Sequence, residues 1–588
     1  MALSKTKKVL LIIASSIVFV LIVVILIINS YLGNIIESKI RDGLNKTDTN
    51  FEVSIRDVRF NIISGNLKIL DLVIKPDSSF LELVKKGEAP VGTIQGAEVP
   101  VFKIAGIQLY KAIVNGYISL RKIEFKDAHV TFYKGKKPKK ETKERSAEKV
   151  FRTDSIYIKG LDGIDLSKIV FDKCMIDVFD LVNEKYIMQS GEVDILLTDI
   201  DLIEWPEKND VFKFGFDKFK LDMSIDEFKL PGGWYNLHVK NFLFSKPDSS
   251  LKIKGLKYWP QYANLDNMAR DLKFTKEIFN VNVKSIDVFQ VKAERLINEG
   301  EVYIDSILVT GLKLNILKDK KYPFNEKLRP KLLNELLRTM DLPLNIQKVK
   351  IEESELVYKE KNEGTKEKMT VSLNDLQADL NNITSVKDSI KNGAIFRINL
   401  YAKLMNRARM DVHFVMPLRS TVDTFFYSGY LGPSDFRVYN QAIVPALGVE
   451  FKEGKINSLH FEGSANRNIS KGKMTMRYEG LVAEVYKKDS KNKNKFMTWA
   501  ANTAVRSQNP GKKGKLIIAH IDFERVMYKG FGNLIWKSVQ SGLVNTVAPT
   551  GKHDKIDVSD TDNQSKEEVK QEAPEKEKPE KKKRKNKR

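Results

Sequence analysis

Residues 122–132 read Lys-Ile-Glu-Phe-Lys-Asp-Ala-His-Val-Thr-Phe. Their apolar side chains are Ile123, Phe125, Val130 and Phe132, at offsets 0, 2, 7 and 9 from the first of them. A spacing of two residues is typical of a β-strand with one apolar and one polar face, because successive side chains of a strand point in opposite directions. The stretch therefore predicts two short strands that present apolar side chains.

Three further windows repeat this pattern without gaps, namely 168–178, 306–316 and 348–358. Self-similarity of this kind indicates a repeat architecture. Across the four copies, the residues predicted to line one apolar groove are Ile123, Phe125, Val130, Phe132, Ile169, Phe171, Ile176, Val178, Ile307, Val309, Leu314, Ile316, Val349, Ile351, Leu356 and Tyr358. For any one of them, the alternative is an ordinary core position.

Within each copy, the first two apolar positions have even offsets (0 and 2) and the last two have odd offsets (7 and 9). A continuous strand would send them to opposite faces, so a turn or bulge must lie between them. The predicted fold is mainly β, an elongated, curved antiparallel sheet or groove built from repeats, with a few short amphipathic helices. A sandwich or barrel is the alternative, but few Asn-Gly turns and irregular repeat spacing favour the extended sheet.

Composition excludes several classes of protein. The chain has 588 residues, of which 42% are hydrophobic and 30% charged, so global disorder is excluded. One cysteine, Cys174, excludes an intramolecular disulfide and a cysteine-based zinc site, and the six histidines are scattered. The formal charge of +23 is compatible with nucleic acid, anionic lipid or a basic proteome.

No catalytic motif is present in the sequence. There is no GxSxG, P-loop, GxGxxG or EF-hand pattern. The acidic pair Glu352-Glu353 lies within an alternating strand, where a solvated face explains it, and Cys174 takes the corner position that is Ala128, Leu312 or Ser354 in the other copies. We therefore expect no enzyme activity, no catalytic residue, no cofactor and no metal.

The N-terminus predicts a membrane anchor. Residues 9–28, from Val9 to Ile28, carry no charge, and a helix of that length spans about 30 Å, the thickness of a bilayer's hydrocarbon core. Lys5, Lys7 and Lys8 precede it and place the short end in the cytoplasm. A cleaved signal peptide is the alternative, but its apolar region is usually only about 7–15 residues long.

Helical patterns are confined to short segments. Pro330 to Met340 carries an apolar stripe, Ser434 is predicted to cap a helix from Phe436 to Leu447, and Phe531 to Leu543 forms a third stripe. We expect each stripe to pack on the sheet, and the alternative for the last is a membrane surface or the end of a groove. The lysine- and glutamate-rich tail, residues 550–588, is predicted to be disordered.

The start of this chain resembles the start of AsmA-like envelope proteins, in the predicted anchor and in the segments Val53–Phe60 and Gly65–Asp77 that follow it. In that family the N-terminal region consists of alternating strands and ends in a leu-x-ile-x-asp-leu motif followed by Pro-Asp. Later segments resemble that family in the same order, namely Met416–Leu418, Phe425–Gly432, Gly448–Ile456, Gly472–Tyr478 and Asn509-Pro510. The family is related to TamB and to bridge-like lipid-transfer proteins. The resemblance implies an inner-membrane anchor that holds a periplasmic β-groove built from repeats. Acyl chains are expected to move along an apolar channel in this groove.

This resemblance suggests a division of the chain. The expected parts are a cytoplasmic N-terminus (1–8), a transmembrane signal anchor (9–29), an N-terminal AsmA-like β region (30–134), a charged linker (135–150), central β repeats (151–340), a C-terminal AsmA-like β region with a terminal amphipathic helix (341–549) and the tail (550–588). The protein is expected to be single-pass in the inner membrane, with most of the chain in the periplasm.

Two functions of different classes remain open, and a third, an accessory domain of an envelope enzyme, ranks far lower. The first is phospholipid binding or conduction in support of outer-membrane and envelope biogenesis, with the inner membrane, phospholipid and envelope proteins as partners and no nucleic acid. The second is a periplasmic scaffold for outer-membrane assembly that carries no lipid. An open apolar face favours the first function, and a face filled by the protein's own side chains favours the second.

Overall fold

The computed structural model describes residue 38 and residues 50–557, except for 62, 109–116, 137–162, 199–202, 205–212, 215–219, 231–232, 363–366, 487–504 and 549. The predicted anchor, most of the charged linker and residues 558–588 of the tail lie outside the described residues. Within the described ranges, no helix has the length and apolar character needed to cross a membrane. The described chain is mainly β, and twenty-five of its strands belong to one large mixed sheet.

The chain divides into two compact units. The N-terminal unit comprises the described residues within Met1–Lys273, Glu277–Ile316 and Leu342–Glu355, and the C-terminal unit comprises those within Phe274–Lys276, Leu317–Asp341 and Leu356–Arg588. Strands β19 and β20, with bounds given below, contribute residues to both.

In chain order up to residue 361, the elements are β1 (Phe51–Ser54), β2 (Asp57–Asn61), β3 (Asn66–Pro76), α1 (Ser78–Lys86), β4 (Thr93–Ala105), β5 (Tyr117–Leu120), β6 (Lys122–Lys126), β7 (His129–Lys134), β8 (Gly163–Leu166), β9 (Lys168–Asp180), β10 (Lys185–Ser190), β11 (Val193–Thr198), β12 (Ile203–Glu204), β13 (Lys213–Phe214), β14 (Lys220–Lys229), β15 (Tyr235–Ser245), β16 (Ser250–Pro260), α2 (Leu265–Asp271), β17 (Glu277–Phe289), α3 (Ala293–Asn298), β18 (Val302–Thr310), β19 (Lys313–Asp319), α4 (Leu333–Arg338) and β20 (Leu344–Lys361).

The remaining elements are β21 (Met369–Thr384), α5 (Lys387–Lys391), β22 (Ile395–Leu404), β23 (Ala408–Pro417), β24 (Phe425–Leu431), β25 (Ser434–Asp435), a 3₁₀ helix (Phe436–Tyr439), α6 (Asn440–Leu447), β26 (Val449–Ala465), β27 (Ile469–Val485), β28 (Lys515–Glu524), α7 (Phe531–Val547) and β29 (His553–Asp557).

Strands of the N-terminal unit pair almost in chain order. Both β1 and β2 pair with β3, and the sheet continues through β4, the pair β6 and β7, β9, the pair β10 and β11, β14, β15, β16, β17, β18 and β20. Four further strands, β5, β8, β12 and β13, form a small second sheet.

The sheet is mixed, whereas the sequence predicted an antiparallel one. Strand β9 runs parallel to β6 and β7, and β20 runs parallel to β18. A parallel neighbour needs a connection of about a dozen residues or more to bring the chain back to the same end of the sheet. Residues 135–167 and 320–343 supply such connections between copies of the repeat.

Each repeat copy contains a left-handed residue at the predicted corner. The residue at offset 4 has a φ of +54° at Asp127, +53° at Lys173, +68° at Gly311 and +50° at Glu353. A left-handed residue bends the strand and changes the order in which side chains alternate. The predicted turn or bulge is therefore present in all four copies.

Equivalent residues of neighbouring copies lie side by side. Ile123 pairs with Ile169, and Ile307 with Val349, which is the register of the sequence repeat. The corners of the first two copies are joined by two hydrogen bonds, from the Asp127 amide to the Asp172 carbonyl (2.9 Å) and from the Met175 amide to the Ala128 carbonyl (2.8 Å). The other two copies have the same bonds at equivalent positions, from Gly311 to Glu352 (3.1 Å) and from Glu355 to Leu312 (2.8 Å).

The C-terminal unit is an antiparallel meander with a covered core. Strands β21, β22, β23 and β24 pair in succession, and β24 is followed by β26, β27, β28 and β29. Helix α7 packs on β27 and β28, where Gly542 lies so close to Met474 and Ile521 that a Cβ there would be 2.9 and 3.0 Å from their side chains.

Two helix boundaries differ from the prediction. Helix α4 begins at Leu333, not Pro330, because the carbonyl oxygen of Pro330 accepts a hydrogen bond from Arg525 (2.5 Å) and the backbone at Leu332 is extended. The Asp435 carboxylate caps the 3₁₀ helix by accepting the Arg437 amide (2.8 Å).

Ser434, which the sequence predicted as that cap, instead forms a hydrogen bond between its hydroxyl and that of Tyr439 (2.8 Å). The stripe beginning at Phe531 is confirmed as a helix, α7, and it extends to Val547.

Order also extends further into the predicted tail than expected. Residues His553 to Asp557 form β29, which pairs with the edge of β28. His520 of β28 contacts the Asp554 carboxylate at 3.0 Å. A free strand edge presents unpaired backbone groups, so it can order a short polar segment whose composition alone indicates disorder.

The corner conformation gives a stability prediction. In Gly311→Ala, the new Cβ would lie 2.9 Å from the Cβ of Lys284 at a φ of +68°, so we expect the free energy of unfolding to fall by about 1–2 kcal/mol. A urea unfolding curve measures the change.

Glu353→Gly is the matched control, because Glu353 has a φ of +50° at the equivalent corner of the neighbouring copy. Glycine relieves a left-handed backbone, so stability should stay unchanged or rise by up to about 1 kcal/mol. Equal losses in the two variants would contradict the corner geometry.

Candidate functional site

One face of the N-terminal unit carries two continuous rows of apolar side chains. Each row takes one residue from each of twelve successive strands, from β2 to β20, and each residue is the direct cross-strand partner of the next. The first apolar row is Phe60, Leu67, Ile104, Ile123, Ile169, Leu197, Leu221, Phe244, Leu251, Val288, Ile307 and Val349. The second apolar row is Val58, Ile69, Phe102, Phe125, Phe171, Ile195, Met223, Phe242, Ile253, Ile286, Val309 and Ile351. Residues of the two rows are two positions apart on each strand, so both rows face the same side.

The residues between the two rows point to the opposite face. They are charged on eight of the twelve strands, and Lys252 and Asp287 form an ion pair there (2.7 Å). The intervening residues are Arg59, Lys68, Lys103, Glu124, Val170, Leu196, Asp222, Leu243, Lys252, Asp287, Leu308 and Lys350. The sheet of this unit is therefore amphipathic, with one apolar and one largely polar face.

Burial along the apolar rows changes from one end to the other. At the N-terminal end, Val58, Phe60, Leu67 and Ile69 are buried in a small hydrophobic cluster. From β4 to β20 every row residue except Val288 retains partial exposure. The described residues thus form a surface that is closed at β2 and β3 and open along the rest of its length.

Aromatic side chains stack in the open part of the second row. The rings of Phe125 and Phe171 are parallel within 7° at a centroid distance of 4.8 Å, and Phe102 lies 5.0 Å from Phe125. Contacts between aromatic rings are worth about 0.5–1.5 kcal/mol beyond the area that they bury, so these contacts stabilise the arrangement of the three side chains.

The structure brings half of the sixteen predicted groove residues into the two rows. These are Ile123, Phe125, Ile169, Phe171, Ile307, Val309, Val349 and Ile351. The other eight follow the corner, where Val130 pairs with Ile176 and Phe132 with Val178. All sixteen side chains are half-buried.

Beyond the corner the apolar surface is less continuous. Ala97, the neighbour of Val130, packs in one cluster with Phe102 and Phe125, so the apolar face is kept across the corner. Phe132, however, has Gln95 as its neighbour, and the hydroxyl of Tyr358 donates to Glu360 at 2.9 Å. Polar groups therefore interrupt the surface on this side of the corner.

Sequence reasoning missed the middle of both rows. Eight of the missed residues lie on β14 to β17, where antiparallel hairpins follow one another and the offsets of the repeat do not recur: Leu221, Phe244, Leu251, Val288, Met223, Phe242, Ile253 and Ile286. Their simple alternation of apolar and polar residues marks them as strands with one apolar face. A search for alternation alone could have placed them on the same face.

The corresponding face of the C-terminal unit is filled by the protein itself. Helix α7 lies on it, with Leu534 fully buried and the ring of Phe531 at 5.3 Å from Phe414 and 5.4 Å from Phe425. Met474 and Tyr478 of β27 are also fully buried in this core. The apolar face of the sheet is thus filled by the protein's own side chains in the C-terminal unit and partly exposed in the N-terminal unit.

Polar surfaces of the C-terminal unit form a different feature. Two adjoining depressions of about 410 and 490 Å³ share His413, Ser428, Glu462 and Lys473, which stand side by side on β23, β24, β26 and β27. In the part of the chain that the structure describes, no three His, Cys, Asp or Glu side chains are placed to hold a metal ion. The depressions are not part of the apolar rows.

Cys174 lies at the corner of the second copy, as predicted. It is buried with Val99 and Ala128, and burial raises the pKa of its thiol. A raised pKa keeps the sulfur protonated at neutral pH, so this side chain packs as a small apolar group.

Comparison with known proteins gives no family. No family model matches the chain, and no curated protein matches it significantly. The resemblance to AsmA-like proteins therefore stays a prediction from the sequence.

The covered core of the C-terminal unit gives a second stability prediction. Leu534→Ala removes a side chain that is 1% exposed between α7 and the sheet, so we expect a loss of about 2–5 kcal/mol in the free energy of unfolding. Val544→Ala is the control on the same helix, because Val544 is 53% exposed, and its effect should stay within about 0.5 kcal/mol. A comparable loss of stability in both variants would show that α7 does not pack on the sheet through Leu534.

Proposed function

We propose that this protein is a non-enzymatic envelope protein, anchored in the inner membrane, that binds or conducts phospholipid along the two apolar rows of its N-terminal unit. Its role is then to support the biogenesis of the outer membrane and envelope. The elongated, curved groove expected from the repeats is part of this proposal.

One observation carries the proposal: the two rows are continuous across twelve strands and stay partly exposed from β4 onward. Neighbouring strands are about 4.8 Å apart, so the nine steps from β4 to β20 make an open path of roughly 40 Å. Monomeric soluble proteins rarely expose contiguous apolar surface of this kind without a use for it.

The chemistry suits an acyl chain. Removing one CH₂ from water is worth about 0.8 kcal/mol, so a sixteen-carbon chain held on the rows represents roughly 10 kcal/mol. Because both rows consist of hydrocarbon and aromatic side chains, they offer a moving chain equivalent positions on successive strands. Such a surface can hold a lipid tail without forming a bond to it, and therefore without a catalytic group or cofactor.

The compartment and partners in this proposal rest on the sequence. The uncharged stretch from Val9 to Ile28 supports an anchor, and the lysines before it support a periplasmic location for the rest of the chain. The inner membrane, phospholipid and envelope proteins are the proposed partners, and nucleic acid is not among them.

A second candidate is a periplasmic scaffold for outer-membrane assembly without lipid-carrying activity. The observation that favours it is the C-terminal unit, whose apolar face is filled by α7. If the rows of the N-terminal unit also carry no lipid in cells, the scaffold becomes the better description.

Photo-crosslinking in cells tests the proposal on the full-length protein. A photoreactive phenylalanine analogue replaces Phe171, Phe244 or Val309 in turn, and phospholipids are labelled with radioactive phosphate. We expect labelled lipid adducts at all three positions, because each side chain lies on the apolar rows.

The matched controls are the preceding residues, Val170, Leu243 and Leu308, which are apolar but point to the opposite face. Lipid adducts at rows and controls alike would reflect general membrane proximity. A stable protein that yields no adduct at the rows would overturn the proposal and favour the scaffold.

A charge placed on the rows should block the path. In Phe242→Glu a carboxylate replaces an aromatic side chain in the middle of the second row, and burying a charge against an acyl chain is costly. We expect about a tenfold loss of lipid adducts at positions 171 and 309, since about 1.4 kcal/mol corresponds to a factor of ten.

Leu243→Glu is the control for that variant, because Leu243 is the next residue, is exposed, and faces the opposite side. Circular dichroism establishes that both variants fold. An equal loss of adducts in both would mean that the position of the charge relative to the rows is irrelevant, which contradicts the proposed path.

A further inference from the structure

The two depressions of the C-terminal unit lie on the face of its sheet that points away from α7. On β24, Phe425 and Tyr427 are buried in the core that α7 covers. Phe426, Ser428 and Tyr430 alternate with them and therefore point to the opposite face. We call the surface that β23, β24, β26 and β27 present on this side the outer face.

The register of the strands fixes the floor of the depressions. Asn399, His413, Ser428, Glu462 and Lys473 form one row across β22, β23, β24, β26 and β27, and each is the direct cross-strand partner of the next. All five side chains are polar. Side chains two positions away along each strand border this polar row on both sides.

Aromatic rings border the polar row on both sides of Ser428. Phe426 lies two residues before the serine and is 51% exposed, and Tyr430 lies two residues after it. The ring of His460, the cross-strand partner of Tyr430, is 4.8 Å from the ring of Tyr430. Burial, and then the positive charge of Arg477, lower the pKa of His460, so this ring is uncharged at neutral pH.

The space between these rings has the width of several residues. Phe426 and Tyr430 are four positions apart, which corresponds to about 13 Å along a strand. Only the small side chain of Ser428 points to the outer face between them. The depressions are therefore open over the serine and bounded by aromatic rings at both ends.

Hydrogen-bonding groups are available on the floor. Among the described residues, the hydroxyl groups of Ser428 and Thr475 and the carboxylate of Glu462 have no hydrogen bond or ion pair within the protein. His413 is held in place by Asn399, whose Oδ1 is 2.9 Å from its Nδ1. The floor thus offers a ligand both donors and acceptors.

The charges that line the depressions balance. In the part of the chain that the structure describes, the carboxylates at their lining are Asp411 and Glu462, and the ammonium groups are Lys471 and Lys473. A polyanion such as nucleic acid is held mainly by an excess of cations at its phosphates. This lining has no such excess, so it favours an uncharged ligand.

We propose that the outer face binds a neutral oligosaccharide at these depressions. A sugar ring has a face of C–H groups that packs on an aromatic ring, and a rim of hydroxyl groups that both donate and accept hydrogen bonds. Phe426 and Tyr430 supply the rings, and Ser428 and Glu462 supply hydrogen-bond partners between them. An acyl chain would use the rings but leave these polar groups without partners.

Saturation-transfer NMR tests the site on the full-length protein, in a detergent whose head group is not a sugar. The probes are a tetramer of glucose, a tetramer of N-acetylglucosamine and oligothymidylate. We expect saturation of the ring C–H protons of at least one tetramer, because those protons lie against the aromatic rings. Binding of neither tetramer, or of oligothymidylate in their place, would overturn the proposal.

Variants at Phe426 test whether the aromatic ring is responsible. Phe426→Ala should raise the Kd of the bound tetramer about tenfold, and Phe426→Tyr, which keeps the ring, should change it by less than about twofold. Trp536→Ala is the matched control, because Trp536 is an equally exposed aromatic residue on α7, on the other side of the sheet. An unchanged Kd in Phe426→Ala, or an equal rise in Trp536→Ala, would contradict the site.

Variants at Glu462 test whether the ligand is neutral. Glu462→Ala removes an acceptor from the floor and should raise the Kd about tenfold, whereas Glu462→Gln keeps an acceptor oxygen and should raise it by less than about threefold. Equal losses in both variants would indicate that the negative charge itself binds the ligand, and would overturn a neutral sugar.

Thermal unfolding establishes that all of these variants fold. The site uses no residue of the apolar rows, and the photo-crosslinking adducts at Phe171 or Val309 do not depend on it. A failure here therefore leaves the groove proposal standing, and the reverse also holds.

Discussion

The alternation of side chains along a strand is the constraint on which the rest of the structure depends. A strand keeps one apolar face only while apolar and polar residues alternate without interruption. An extra residue at a bend would send the following apolar side chains to the opposite face. Left-handed residues at Asp127, Lys173, Gly311 and Glu353 resolve this by placing the bend at the same position in every copy. Because the corners coincide, neighbouring strands stay in register, and the apolar rows continue from one strand to the next.

An apolar face produced in this way must be covered by something. In the C-terminal unit α7 covers it, with Leu534 inserted into the core and Gly542 allowing close approach to Met474. In the N-terminal unit the described residues cover only the end at β2 and β3, where Val58 and Leu67 are buried. The apolar face is therefore filled in the C-terminal unit and left partly exposed in the N-terminal unit, and this difference is the basis of the proposed lipid binding.

Much of the N-terminal unit was predictable from local pattern. The repeat aligns Ile123 with Ile169 and Ile307 with Val349 in the sequence, and the structure pairs these residues across neighbouring strands. The parallel direction of β9 and β20 was not predicted, since it depends on the path of the connecting chain. Met223 and Ile253 were missed because hairpin strands carry alternation but not the repeat offsets.

The sequence by itself determined which residues alternate, where a corner must interrupt them, and that the chain is mainly β. These properties are local, because they follow from side-chain direction and backbone conformation over a few residues. Only the tertiary structure decided that the two rows join across twelve strands and that α7 fills the apolar face of the C-terminal unit. Each of these depends on contacts between residues far apart in the chain, and the pattern within any single segment carries no information about its distant neighbour.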